Sequence, residues 1–328
     1  MRIVIALGGN AILRPGQKGT AAEQTTNILG TARQIASIAK AGHEVVLTHG
    51  NGPQVGAIVL QNMGTTAVPA MPMDICGAES QGLIGYLFQQ QLGLALAEAG
   101  CSRPVVTIIT QTLVSLDDPA FTKPTKPIGP FYSEAEARAK QAAEGGAWAE
   151  DAGRGWRKVV PSPDPVRIVE RDAIRTLVEA GAVVIGVGGG GVPVVEEGLG
   201  FRGVEAVIDK DLGGERLAID VGAEVFLVLT DAPQVYLNYR RPDQVGLSAV
   251  SLKDAKRYYA EGHFAEGSMG PKVKAAIRFI EHGGRAAIIA SLTSARDALE
   301  GQAGTRVTAG EESGGRRGSG HEVAAAGQ

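Results

Sequence analysis

Two strand-like runs near the start of the chain end in the same kind of turn, and that repetition narrows the fold more than any other feature. Ile3 to Leu7 is an unbroken apolar run that stops at Gly8-Gly9-Asn10, and Glu44 to Thr48 runs into His49-Gly50-Asn51-Gly52-Pro53. Short apolar runs bounded by glycine and asparagine read as buried strands meeting tight turns. Between them, Thr25 to Lys40 sets Ile28, Ala32, Ile35, Ile38 and Ala39 on one helical face, with Gly42 as its stop. Strand, helix and strand, with both turns at the carboxyl ends, predict an α/β chain with a parallel sheet. Open parallel sheets bind their ligands at those ends.

The same pattern continues. Ala78 to Ala99 reads as a long helix and Pro104 to Thr110 as a third strand. Helices are expected near Glu170 to Ala180, Asp211 to Val221 and Ser251 to Glu261, and strands at Ala182 to Gly186, Val225 to Leu229 and Arg285 to Ala290. One stretch departs from it. Seven of the sixteen prolines lie between Asp117 and Pro165, with both tryptophans, Trp148 and Trp156. Proline at that density blocks long helices and ladder bonds, so residues 117–165 are read as an inserted lid with one helix, about Ser133 to Glu144. From about Gly310 large apolar residues are scarce, and residues 310–328 are expected to be a disordered tail.

The formal net charge of −3 gives no reason to expect nucleic acid or an anionic membrane as partner. Cys76 and Cys101 are too few for a disulfide scaffold and read as reduced thiols. With no signal peptide or long apolar span legible, a cytoplasmic protein is expected. The 46 glycines are about twice the usual share. They cluster at the ends of apolar runs, where glycine lets a ligand approach the main chain and bare N–H groups can hold an anion.

If Gly8-Gly9-Asn10 holds an anion, its counter-charge must come from elsewhere, because Leu7 precedes the turn and the nearest base is Arg14. Lys210 and Lys272 each stand at the start of a helix, where a cation opposes the helix dipole. An anion shared with the helix-terminal N–H groups explains them better, and such an arrangement suits phosphoryl transfer. Lys126, braced between Pro124 and Pro127, is stiffer than a solvated lysine needs to be.

Other chemistries fit less well. Gly186, Gly188 and Gly191 match a dinucleotide fingerprint with Asp209 downstream, but Val192-Pro193-Val194 follows where a helix should begin. Gly188 and Gly189 are therefore read as covering nucleotide phosphates with main-chain donors. Ala78-Glu79-Ser80-Gln81-Gly82 lacks both the first glycine and the strand of a hydrolase elbow. The five histidines show no metal-ligand spacing, so no dedicated metal centre is expected, and no P-loop motif occurs.

IALGGNA, THGNGPQVG, CGAESQGLIGY, PTKPIGPFY, WRKVVPSP, GGGGVPV, EAVIDKDL, LTDA and EGHFAEGSMGPKV resemble the carbamate kinase family of the amino acid kinase superfamily, in order, from Met1 to about Thr305. The resemblance implies a three-layer αβα sandwich on a mainly parallel eight-stranded sheet. Residues 1–222, carrying the lid, would bind the acceptor, and residues 223–309 the nucleotide. Reversible phosphoryl transfer between ATP and carbamate would give carbamoyl phosphate and ADP, with magnesium arriving on the nucleotide. Such enzymes often make ATP in arginine or purine-derived catabolism and are usually homodimers. The helices before Gly64 and Gly100 are the candidate interface.

By the same resemblance, Gly8, Gly9, Asn10, Gly50, Asn51 and Gly52 would hold carbamate and the moving phosphoryl group. Lys210 and Lys272 would neutralise phosphate charge, with Asp211 orienting them. Thr230, Asp231, Ala232, Tyr236, Met269 and Gly270 would frame the nucleotide. Many relatives in the wider superfamily carry a lysine just before the first glycine turn. Here Leu7 stands there, and the carbamate kinase branch is similar in using a lid lysine, which matches Lys126.

Overall fold

The first strand, β1 (Arg2–Leu7), sits near the middle of the molecule because both of its faces are apolar. Ile3, Ile5 and Leu7 point into one core and Val4 and Ala6 into the other, as the two-residue period of a strand requires. The structure, a computed structural model, describes residues 1–151, 153–265 and 267–310. The tail expected beyond Gly310 lies outside the described residues.

β1 pairs in parallel with β2 (Glu44–His49) on one side and with Val225–Thr230 on the other, so one continuous sheet spans the two halves of the chain. Its eight strands run Ala249–Ser251, Thr305–Thr308, Ala286–Ser291, Val225–Thr230, β1, β2, Val183–Ile185 and Val105–Thr107. Only Ala286–Ser291 and Thr305–Thr308 pair antiparallel. Helices α1 (Ala21–Lys40), α2 (Gly52–Met63), α3 (Met73–Glu98), α4 (Glu134–Glu144), α5 (Arg171–Glu179), α6 (Lys210–Asp220), α7 (Leu252–Ala260), α8 (Met269–Glu281) and α9 (Ala295–Leu299) complete the main elements. α1, α3 and α9 bury their apolar residues against one face of the sheet. α5, α6, α7 and α8 do so against the other, which makes the expected αβα sandwich.

α1 and α3, like α2, which starts at Gly52 ahead of its first apolar position at Val55, begin earlier than their periodicity indicates. α1 starts at Ala21 because Thr20 and Glu23 close a reciprocal capping box ahead of the first apolar position. α3 starts at Met73 rather than Ala78, with Pro72 at its N-cap and Asp74 in its first turn. The run from Pro104 to Thr110 also divides. Val105–Thr107 belongs to the main sheet, but Gln81 of α3 donates to the Thr110 carbonyl at 3.1 Å and accepts its N–H at 2.8 Å. That side chain holds Thr110, whose carbonyl also accepts the Val192 N–H at 2.9 Å, and Gln111–Leu113 then joins a second sheet with Arg167–Ile168, Val192–Glu197 and Gly200–Gly203.

The proline-dense stretch forms a three-stranded antiparallel sheet of Lys126–Tyr132, Trp156–Val160 and Ala147–Glu150. α4 packs on it, capped by Ser133 and Glu136. Arg157 donates to the Gly129 carbonyl at 3.0 Å, filling the irregularity in the strand pairing between Ile128 and Tyr132. Lys126 thus begins a braced strand above the carboxyl ends of the main sheet.

α6 reaches its place by backbone contact. A Cβ added to Gly213 would lie 2.8 Å from Gly190 Cα, closer than packed atoms tolerate. Gly213→Ala is therefore expected to lower stability: about 1–3 kcal/mol of overpacking exceeds the roughly 1 kcal/mol gained in helix propensity. A fall in the urea midpoint checks this, and an unchanged or higher midpoint would show that α6 can move away at no cost.

Candidate active site

A cleft of about 480 Å³ opens where the strand ends meet the lid. Gly9, Gly50, Asn51 and Gly52 line one side, Gly189 and Asp209 to Asp211 the floor, Gly267, Ser268 and Lys272 another side, and Lys126 and Arg157 the lid side. The two glycine–asparagine turns are neighbours because β1 and β2 pair in register, Leu7 opposite His49.

Asp211 is the centre of the charge arrangement. It lies in the first turn of α6 and is almost fully buried. Lys210 Nζ donates to its Oδ1 at 2.7 Å and Lys272 Nζ, from the first turn of α8, to its Oδ2 at 3.1 Å. Burial alone would raise the Asp211 pKa, but the two ammonium groups outweigh it and hold the carboxyl below its ordinary range. Lys272 is pulled the other way: burial, helped by the Lys210 charge, lowers its pKa despite the bond to Asp211. It also donates to the Ser268 carbonyl at 3.2 Å. Lys126 reaches in from the lid and pairs with Asp209 Oδ2 at 3.1 Å.

Glycine is needed here for room. A Cβ at Gly50 would come within 2.9 Å of the Lys210 stem, and one at Gly188 within 2.5 Å of the His49 ring. A Cβ at Gly189 would run into Asn51, whose side chain donates to Ser80 Oγ at 2.7 Å. Val187 stands at φ +54°, a left-handed conformation costly for a β-branched residue. Two bonds hold it: Thr110 Oγ1 accepts its N–H at 2.9 Å, and Thr48 Oγ1 donates to its carbonyl at 2.8 Å.

Lys126, Lys210, Asp211 and Lys272 are thus brought together with Gly9, Gly50, Asn51, Gly52 and Gly189. Gly8 stands just behind, its N–H bonded to the Leu229 carbonyl at 2.9 Å, and the Asn10 side chain donates to Asp231. Gly188 lies on the far side of Gly189, toward His49. Thr230, Asp231 and Ala232 follow the next strand end along the sheet. Tyr236 stands beyond them, its ring tilted against that of Tyr239 with centroids 6.0 Å apart, and Met269 and Gly270 open α8.

Sequence reasoning passed over Arg157 and gave Asp209 no role here. Both had a signal: Arg157 lies in the WRKVVPSP motif, and an aspartate directly before a helical segment marks an N-cap. Among the residues lining the cleft, four cations face two carboxylates, so the cleft is positive. With main-chain N–H groups at the uncapped start of α2, it suits a polyanion.

Fold and cleft together define a phosphotransferase, a kinase that moves a charged phosphoryl group. The Amino acid kinase family model matches residues 1–291. A carbamate kinase of Thermococcus kodakarensis is 56% identical over 310 residues, 93% of this chain and 98% of that protein. One of Pyrococcus horikoshii is 55% identical over 310 residues, covering 94% and 99%. The structure of carbamate kinase from Giardia lamblia bound to AMP-PNP superposes with a TM-score of 0.89 at 48% identity, over 94% of this chain and 98% of that one. The chain belongs to the amino acid kinase family, in its carbamate kinase branch.

His49 supplies a pH test of the floor. It is fully buried, stacked on Phe88, and its Nδ1 lies 3.0 Å from the Gly50 carbonyl, which can only accept, so Nδ1 carries the proton. Burial, opposed by that carbonyl, pushes its pKa from 6.5 down to about 4. Between those values the unfolded chain takes up a proton that the folded chain refuses, so stability falls as pH drops. The loss from this group is on the order of 3 kcal/mol. Thermal melts from pH 7 to 4 are expected to show a shallower decline for His49→Gln than for wild type, whatever their offset at pH 7. Equal slopes would place a charged imidazole in the fold.

Proposed function

We propose that the protein catalyses reversible phosphoryl transfer between ATP and carbamate, giving carbamoyl phosphate and ADP. The observation that carries this reading is the convergence of Lys126, Lys210 and Lys272, from three separate parts of the chain, on one cleft walled on one side by neutral glycine turns. Carbamate oxygen is already anionic at neutral pH, so it needs no general base. It forms the new bond to the γ-phosphorus while the bond to the ADP oxygen breaks, and the electron pair leaves on ADP. What remains for the protein is positioning and neutralisation of charge.

In this reading Gly8, Gly9, Asn10, Gly50, Asn51 and Gly52 hold carbamate and the phosphoryl group, with residues 1–222 as the acceptor part. Lys126 supplies the cation that Leu7 does not. Lys210 and Lys272 balance phosphate charge, and Asp211 keeps the two ammonium groups aimed. Residues 223–309 hold the nucleotide, with Thr230, Asp231, Ala232, Tyr236, Met269 and Gly270, and Gly188 and Gly189 cover phosphates. Magnesium arrives with ATP and is carried on phosphate oxygens and water, since Asp209 and Asp211 are both already bonded to lysines. We take the working direction to be ATP formation in arginine or purine-derived catabolism, and the setting to be cytoplasmic, in keeping with the family resemblance and two free thiols.

We also propose a homodimer. Ile75, Leu83, Tyr86 and Leu94 lie within one face of α3 and are exposed by 42%, 40%, 59% and 47%, and Leu60 and Met63 of α2 are exposed too. A helix apolar on both its inner and outer faces is one that expects to be covered on both.

Two measurements follow. Protein, ADP, magnesium and carbamoyl phosphate are expected to yield ATP in a luciferase assay, and Lys126→Ala to cut turnover more than tenfold with little change in ADP affinity. No ATP above the blank would remove the reading, and wild-type turnover in the variant would remove the role of Lys126. Sedimentation at micromolar concentration is expected to give a dimer that Leu83→Asp with Leu94→Asp converts to monomer. A wild-type monomer would refute the interface.

A further inference from the structure

Besides packing of its Lys126–Tyr132 strand against α2, the lid is tied to the body by two groups of polar contacts of different character. At its stems, Asp118 Oδ2 accepts the Asp164 N–H at 2.9 Å, and the Asp164 carboxylate takes Arg278 of α8 at 3.1 Å. This anchor ties the lid's two stems to α8, and none of its residues lines the cleft. On the cleft side, Lys126 Nζ pairs with Asp209 at 3.1 Å, Lys158 Nζ with Glu205 at 2.6 Å, and the Val207 N–H donates to the Pro161 carbonyl at 3.0 Å. All three partners fall between Glu205 and Asp209, the short segment that leads directly into α6.

Asp209 ends that segment, and each of its oxygens has a separate task. Oδ1 accepts the Asp211 N–H at 2.9 Å and so caps α6, while Oδ2 holds the lid lysine. We propose that Asp209 is a positioning residue that joins the lid's closed seat to the N-terminus of α6. The residue that fixes where Lys210 and Asp211 begin is then also the one that fixes where Lys126 comes to rest. Lys126 is the more exposed partner, 39% against 17% for Asp209, and Asp209 is held by its capping bond. An anion entering the cleft therefore draws on an ammonium group already placed above it, with no search by a long solvated side chain. The inference rests on the reading of Lys126 as the lid's phosphate-facing cation.

The test is Asp209→Asn, because asparagine caps a helix about as well as aspartate but carries no charge. Hydrogen exchange by mass spectrometry on the substrate-free protein is expected to be several-fold faster in peptides covering residues 205–209 and 125–128. Exchange in α6 from Asp211 onward should stay at the wild-type rate. Raising KCl to about 1 M should speed exchange of those peptides in wild type, because salt screens exposed pairs, and should do so less in Asp209→Asn, which keeps only the Lys158–Glu205 pair at this seat. In ATP formation, kcat is expected to fall at least fivefold while the KM for ADP stays within twofold. Unchanged lid exchange, or faster exchange spread through α6, would overturn the proposal, the latter by reducing Asp209 to a cap. Because exchange is read without substrate, its outcome stands even if carbamoyl phosphate yields no ATP. Normal ATP formation with unchanged exchange would fail the seat alone.

Discussion

The charge arrangement of the cleft depends on one buried carboxylate. Asp211 lies between two ammonium groups that come from the first turns of different helices. Without it, Lys210 and Lys272 would face each other as like charges in a largely buried site, with α6 and α8 sharing no polar contact at their starts. A buried ion pair is weak evidence for stability, because desolvation cancels much of the Coulomb gain. Its value here is geometric. The carboxylate's two oxygens set the direction of both lysines, and their remaining N–H donors are left for a ligand.

Around that centre the backbone comes unusually close to itself. Gly213 lets α6 lie against Gly190, and Gly50 leaves space for the Lys210 stem. These contacts bring main-chain N–H groups and lysine side chains within reach of one bound anion, which larger residues would prevent. The strained Val187 belongs to the same design: Thr48 of β2 and Thr110 beyond α3 hold it in place, so the glycine loop is shaped from both neighbouring elements.

The lid brings to the cleft a cation that the first strand does not carry. Leu7 is buried among Ile5, Leu47 and Leu229 in the core beneath the turn, a position that could not carry an ammonium group without disturbing that packing. The missing cation instead stands on a proline-braced strand above the cleft, tied through Asp209 to the helix that bears Lys210. Positive charge is thus divided between a rigid floor and a part of the protein attached by stems.

Much of this was legible in the residues themselves. Apolar runs ending in glycine-rich turns marked the parallel strands, because a strand buried on both faces has little freedom in composition. Helix-starting lysines at positions 210 and 272 pointed to the residues that line the cleft, because a cation there is unfavourable without an anion. What stayed hidden were contacts between distant segments with no local pattern. Gln81 holding Thr110 where the chain passes between two sheets, Asp211 spanning two lysines 62 positions apart, and Asp209 serving α6 and the lid together are all of this kind. Local sequence determined which groups the protein has and which backbone shapes it can adopt, since propensity and periodicity act over a few residues. Only the tertiary structure decided which charges meet, because that depends on how layers pack across hundreds of residues.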